Sequence, residues 1–160
     1  MRIDTYVELH CHSSYSFREG ASSPLELVLT ARQLGYDTLA LTDHDNLAGA
    51  MEFAQTAKEW GVRPIIGAEV TLRGGAHLTL LAETQRGYAN ISRLISHAHL
   101  NSPRDEPQLD PEELRGCAEG IIALSGCRES EISRHIEAGD CETARETAAR
   151  YAAIFGAGNF

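Results

Sequence analysis

No run of apolar residues in this chain approaches the roughly 20 that a membrane-spanning helix needs. The N-terminus also lacks the basic-then-apolar order of a secretory signal, so a cytoplasmic location is expected. Cysteine is scarce: Cys11, Cys117, Cys127 and Cys141 include no C-x-x-C pair, which excludes a zinc knuckle and a dithiol redox motif. In a reducing compartment all four are expected as free thiols, unless one serves a metal. An excess of positive charge is missing too. Fourteen Lys and Arg against 23 Asp and Glu leave a net charge of −9 with histidine neutral. Such a chain cannot track a phosphate backbone by its own field, so a nucleic-acid partner would need metal ions or a separate basic module. Low-complexity segments and internal repeats are absent. What remains is globular material: 160 residues, 42% apolar and 23% charged, enough for one core and too few for two ordinary domains.

Short apolar runs alternate with amphipathic ones along the chain. Tyr6-Val7-Glu8-Leu9 reads as a first strand leading into His10-Cys11-His12, and residues 13–20 as a polar loop. Ser22-Ser23-Pro24 with Glu26 is a helix start, and Gly35 a stop. A second strand over 37–42 ends at Asp43-His44-Asp45-Asn46, and a helix follows to Trp60. A third strand spans 63–70, Gly74-Gly75 marks a tight turn, and a fourth spans 77–82, expected antiparallel or closely joined to the third by that turn. Helical spacing over 87–97, a Pro-containing loop over 101–108 and a capped helix from Asp110-Pro111 come next. A fifth strand covers 120–125, and helices over 129–137 and 141–153 complete the pattern. This alternation predicts an α/β protein with a mainly parallel sheet. The closing Gly156-Ala157-Gly158-Asn159-Phe160 reads as a turn into another strand. A closed β/α barrel takes about 200–250 residues, so a barrel taken part-way round is expected, with an open five-stranded sheet as the alternative.

The metal-capable side chains fall at strand ends. His10 and His12 alternate onto one face at the end of the first strand, His44 follows the second, Glu69 lies near the end of the third, and Cys127 follows the fifth. His77 opens the fourth, which suits a strand running the other way. Groups at the carboxyl ends of parallel strands share one face of an α/β fold. Nitrogen, carboxylate and thiolate donors together suit zinc, manganese or iron better than magnesium or calcium. Each residue has a plainer reading. His44 could be a turn residue beside an Asx turn at Asp43, Cys127 a small buried apolar group, and His77 a mere strand flank. Glu69 is harder to dismiss, because a buried carboxylate without a partner is costly. His97, His99 and His135 are read as structural.

Five stretches together carry a resemblance: Glu-Leu-His-Cys-His-Ser at 8–13, Leu-Thr-Asp-His-Asp-Asn-Leu at 41–47, Pro-Ile-Ile-Gly-Ala-Glu at 64–69, His-Leu-Thr-Leu-Leu-Ala at 77–82 and Gly-Ile-Ile-Ala-Leu-Ser-Gly-Cys at 120–127. The chain resembles the polymerase and histidinol phosphatase (PHP) domain. The Gly-Tyr-x-Asn-Ile-x-x-Leu run at 87–94 is similar to the form at the N-terminus of bacterial C-family DNA polymerases, the polymerase III alpha subunits. Arg-Glu-Gly-Ala-Ser at 18–22 and the final Asn-Phe look most like their error-prone branch.

The resemblance implies a distorted seven-stranded, TIM-like β/α barrel, of which residues 1–160 would be the N-terminal part. It also implies up to three divalent transition metals, with His10, His12, Glu19, His44, Glu69, His77 and Cys127 as ligands. Glu19 stands where that family more usually has aspartate or histidine. Asp43 would sit behind the ligands and hold the His44 ring in one tautomer. The family's last motif, an Asp-x-His pair, lies beyond residue 160. The implied chemistry is phosphoester hydrolysis of the 3′–5′ exonuclease or pyrophosphatase type, within a DNA polymerase that meets DNA and other replication or repair proteins and no membrane. A non-catalytic scaffold and a stand-alone histidinol-phosphatase-like enzyme are the alternatives, and the 87–94 run argues against the second.

Overall fold

A computed structural model of the chain describes residues 6–160. The chain divides into two compact units, one reaching Ala68 and the other running from Glu69 to Phe160.

In the first unit, α1 (Pro24–Gln33) starts at a reciprocal cap. Ser23 Oγ accepts from Glu26 N (3.3 Å) and the Glu26 carboxylate accepts from Ser23 N (2.8 Å), with proline in the first turn as the sequence predicts. Beyond the helix Gly35 takes φ +81°, a left-handed turn that a residue with a Cβ resists. β1 (Thr38–Leu41) is buried throughout and pairs in parallel with the first half of β2 (Arg63–Thr71), Thr38 opposite Arg63 and Leu41 opposite Ile66. Between them runs α2 (Ala50–Glu59). Val28 and Ala31 of α1, Leu39 and Leu41 of β1, Phe53 and Ala57 of α2, and Val62 form this unit's core. At about 1.5–3 kcal/mol for each large side chain removed from water, that cluster dominates the unit's stability.

Among the described residues the expected first strand is a single bridge. Glu8 pairs in parallel with Leu39, and Glu8 O accepts from Ala40 N at 2.9 Å. After that a side chain takes over from the ladder: Thr42 Oγ1 accepts from Cys11 N (3.0 Å), while Thr42 N donates to Cys11 O (2.9 Å). Residues 8–12 therefore follow β1 without forming a regular strand.

In the second unit Gly74 and Gly75, at φ +96° and +79°, make the expected tight turn, with Leu72 N donating to Ala76 O at 2.7 Å. β3 (His77–Ala82) pairs with β4 (Ile121–Leu124), Thr79 opposite Leu124 and Ala82 opposite Ile121. This pairing is antiparallel, in line with the expectation that the strand opened by His77 runs the other way, and the sheet is mixed. With β2 crossing the division, neighbours run β1-β2 in the first unit and β2-β3-β4 in the second.

α3 (Gln85–Asn101) is longer than the spacing suggests and is capped by Thr84, whose hydroxyl accepts from Gly87 N (3.1 Å). Gly87 lies so close to the turn before β4 that a Cβ there would stand 1.8 Å from Gly120 O. One turn on, Asn90 Nδ2 donates to Glu119 O at 2.9 Å. The 87–94 run thus locks α3 onto that turn. The helix expected after Asp110 is a 3₁₀ helix, Pro111–Gly116, capped by Asp110 and ended by Cys117 N donating to Leu114 O. The His97 ring, bonded to the Glu113 carboxylate, ties it to α3. α4 (Glu131–Glu137) and α5 (Cys141–Phe155) pack on each other. The closing Gly-x-Gly turn brings Asn159 O to Ala123 N of β4 (2.8 Å) and Phe160 against Tyr151. Among the described residues no helix is long and apolar enough to cross a membrane.

Candidate metal centre

The first unit gathers His10, His12, Glu19 and His44. The His10 and His12 rings stand edge to face with centroids 5.1 Å apart, the same-side placement that one intervening residue predicts. His12 and His44 follow at 6.1 Å. Glu19 joins them: its carboxylate reaches His12 Nδ1 at 3.0 Å and His44 Nδ1 at 2.8 Å. A ring that donates through Nδ1 presents Nε2 as the atom able to bind a metal. His44 Nε2 also has Asp45 Oδ2 at 3.4 Å.

Asp43 anchors the loop that carries Glu19. Its buried carboxylate accepts from Ser13 N (2.7 Å), Ser13 Oγ (2.8 Å) and Ser16 Oγ (2.7 Å). Ser16 Oγ in turn accepts from His44 N at 2.9 Å. Asp43 therefore holds the 13–20 loop and, through Ser16, the His44 backbone, while carboxylates of Glu19 and Asp45 lie at the His44 ring. The loop closes tightly: Ser14 N donates to Ser22 O, and a Cβ at Gly20 would stand 1.9 Å from Ser13 O. The sequence reading passed over Ser13 and Ser16, both almost fully buried. Their signal was available, since two serines in a polar stretch beside a buried aspartate are natural donors to it. Asp45 was passed over as well. It takes φ +53° directly after His44, while Arg18 takes φ +74° directly before Glu19, so both partners of the ion pair adjoin strained backbone.

The second unit gathers Glu69, His77 and Cys127. Glu69, on β2, is only 2% exposed. Its Oε2 lies 3.4 Å from His77 Nδ1, at the start of β3, and Cys127 Sγ lies 3.5 Å from the same nitrogen. The turn at Gly126 (φ +87°), hard against His77 O, carries the thiol there. Burial pushes the Cys127 thiol up to about 11; a bond from Glu129 N opposes this and the Glu69 carboxylate adds to it. Burial likewise pushes Cys11 up to about 11, with the charges of Glu8 and Asp43 adding. All four cysteines are free thiols. His97, His99 and His135 belong to none of these gatherings, and His97 serves the structural bond to Glu113.

An imidazole, a thiol and a carboxylate in mutual reach, with the carboxylate buried, form a donor set that a borderline metal ion fits. Among the described residues, histidine and glutamate side chains lie close enough together to hold a metal ion.

An α/β fold with a mixed sheet of this kind is found among solved structures. A protein from Bifidobacterium adolescentis, assigned as a metal-dependent phosphoesterase, matches with TM-score 0.50 and 26% identity over 61% of this chain and 34% of its own. An amidohydrolase from Chromobacterium violaceum, solved with bound sulfate and no metal, matches with TM-score 0.50 and 28% identity over 59% of this chain and 34% of its own. The chain belongs to the PHP domain family, which matches residues 8–160. It is 46% identical, over 94% of its length, to the error-prone DNA polymerase of Symbiobacterium thermophilum. It is 37% identical, over 98% of its length, to the DNA polymerase III subunit alpha of Treponema pallidum. It spans 15% and 14% of those two relatives and is homologous to the N-terminal region of such polymerases.

Proposed function

We propose that this PHP segment serves metal-dependent phosphoester hydrolysis within a DNA-directed DNA polymerase, acting in replication or repair synthesis. His10, His12, His44, Glu69, His77 and Cys127 are the ligands of that reading, with Glu19 at the Nδ1 atoms of two of them. The metals are zinc, manganese or iron, up to three in a domain of the distorted seven-stranded barrel type. The observation that carries the reading is the single carboxylate of Glu19 in contact with both His12 and His44. Those bonds support Glu19 as the group that fixes both rings, and direct ligation would need the carboxylate to swing off at least one of them.

When bound, clustered metals lower the pKa of a water molecule and neutralise phosphoryl charge. The protein's part is to hold the rings in one tautomer, through Glu19, and to hold the loop that carries Glu19, through Asp43. A chain of net charge −9 meets an anionic substrate by such local charge and not by its overall field. The partners of this reading are DNA and the replication or repair proteins around the polymerase.

Elemental analysis of the chain after exposure to zinc, manganese or iron and removal of the excess tests the assignment. Retained transition metal that falls in His12→Ala and His77→Ala is the expected outcome. A folded chain that retains none would end the catalytic reading.

A further inference from the structure

The 13–20 loop carries something that metal binding does not use. Phe17 exposes 83% of its surface, two positions before Glu19. A large apolar side chain so far out in solvent is ordinary on a slack loop, but this loop is not slack. Ser16 N donates to Ser13 O, Glu19 N and Gly20 N both donate to Ser16 O, and the buried Asp43 carboxylate grips Ser13 and Ser16. The ring is therefore held out by a fixed turn. Arg18 follows in left-handed backbone at φ +74°, which disfavours any residue with a Cβ, and its guanidinium carbon stands 5.6 Å from the Phe17 ring centroid. Backbone held in such a region clusters at active sites and ligand clamps.

We infer that Phe17 and Arg18 form a platform for one nucleotide of an unpaired strand. The base stacks on the ring and the guanidinium meets a neighbouring phosphate. Every base has a π-face, so stacking needs no particular sequence, and arginine on an aromatic ring keeps its N–H donors for an anion. An overall acidic chain needs such a local cation to approach a phosphodiester at all. The inference rests on the phosphoester reading and assigns one contact of its substrate strand to Phe17 and Arg18.

The test is fluorescence anisotropy of a short labelled oligothymidylate, against an abasic strand of the same length, with the whole chain in chelator. Phe17→Leu keeps apolar bulk and removes the π-face. It is expected to weaken the oligothymidylate roughly ten-fold, as loss of one base stack does, while Phe17→Tyr retains the affinity. The abasic strand is expected to bind the parent and Phe17→Leu alike. Arg18→Gln is expected to weaken both strands. Circular dichroism of each variant should match the parent, since Phe17 makes no core contact. The platform is overturned if the parent binds the two strands equally, if Phe17→Leu binds oligothymidylate like the parent, or if Arg18→Gln changes neither strand. Chelator separates this result from the metal assignment: a chain that holds no metal leaves the titration standing, and a failed titration leaves the elemental analysis standing.

Discussion

Replacing Asp43 by alanine tests how the loop that carries Glu19 is held. The carboxylate is 2% exposed and accepts three hydrogen bonds of 2.7–2.8 Å, from Ser13 N, Ser13 Oγ and Ser16 Oγ. A hydrogen bond to a charged group contributes about 1.5–3 kcal/mol, and a buried donor left without an acceptor costs a similar amount. The two hydroxyls can rotate toward other acceptors, whereas the Ser13 amide cannot, so the three do not sum. The expected loss for Asp43→Ala is about 3–5 kcal/mol, a large part of the roughly 5–15 kcal/mol that holds a domain folded. Asp43→Asn keeps a carbonyl oxygen for Ser13 N and should lose about 1–3 kcal/mol. The assay is urea unfolding followed by circular dichroism, with chelator present so that no metal linkage enters. With a slope of about 1–3 kcal/mol per molar urea, the alanine variant should shift the midpoint by at least about 1 M. An Asp43→Ala midpoint that coincides with the parent's would refute the claim that this carboxylate organises the loop.

Three further outcomes follow from the fold. Gly87→Ala drives a Cβ into Gly120 O, backbone that cannot move aside without displacing α3 or β4; it should destabilise by about 3 kcal/mol or more, read by the same unfolding assay, and a neutral result would discount the close approach. Ser23 lowers the Glu26 carboxyl through its backbone N–H first and its hydroxyl second. The α1 cap is therefore fully present above the ordinary carboxylate pKa and is lost as pH falls through the lowered folded value. A carbon-detected NMR titration should find the Glu26 midpoint below the usual range, moving up in Ser23→Ala. For the thiols, exposed Cys141 should alkylate first at about pH 8, because the raised Cys11 and Cys127 thiols hold little of the reactive thiolate there. Peptide mapping that finds Cys11 labelled as fast as Cys141 would contradict its burial.

Much of this protein is written locally. The capping box at Ser23-Glu26, the Gly74-Gly75 turn, the Asp110 cap and the same-side rings of His10 and His12 all depend on near neighbours, so a single sequence suffices to predict them. The family resemblance was legible for a related reason: its motifs sit at strand ends, where short runs of fixed type recur, and the family match covers residues 8–160. Three features depended on partners distant in the chain. The register of β4 against β3, Thr79 opposite Leu124 and Ala82 opposite Ile121, depends on how the chain returns through α3 and the 3₁₀ helix. Among the described residues the first strand is one bridge, because Thr42 supplies a hydroxyl where the ladder would continue. The partners of two carboxylates were also set at a distance. Asp43 adjoins His44 in sequence yet turns to Ser13 and Ser16, while Glu19, 25 residues away, meets the His44 ring. Sequence alone determined which residue types could form a site, because chemistry belongs to side chains. Tertiary structure decided which carboxylate holds which ring, because a hydrogen bond depends on distance in space and not on separation along the chain.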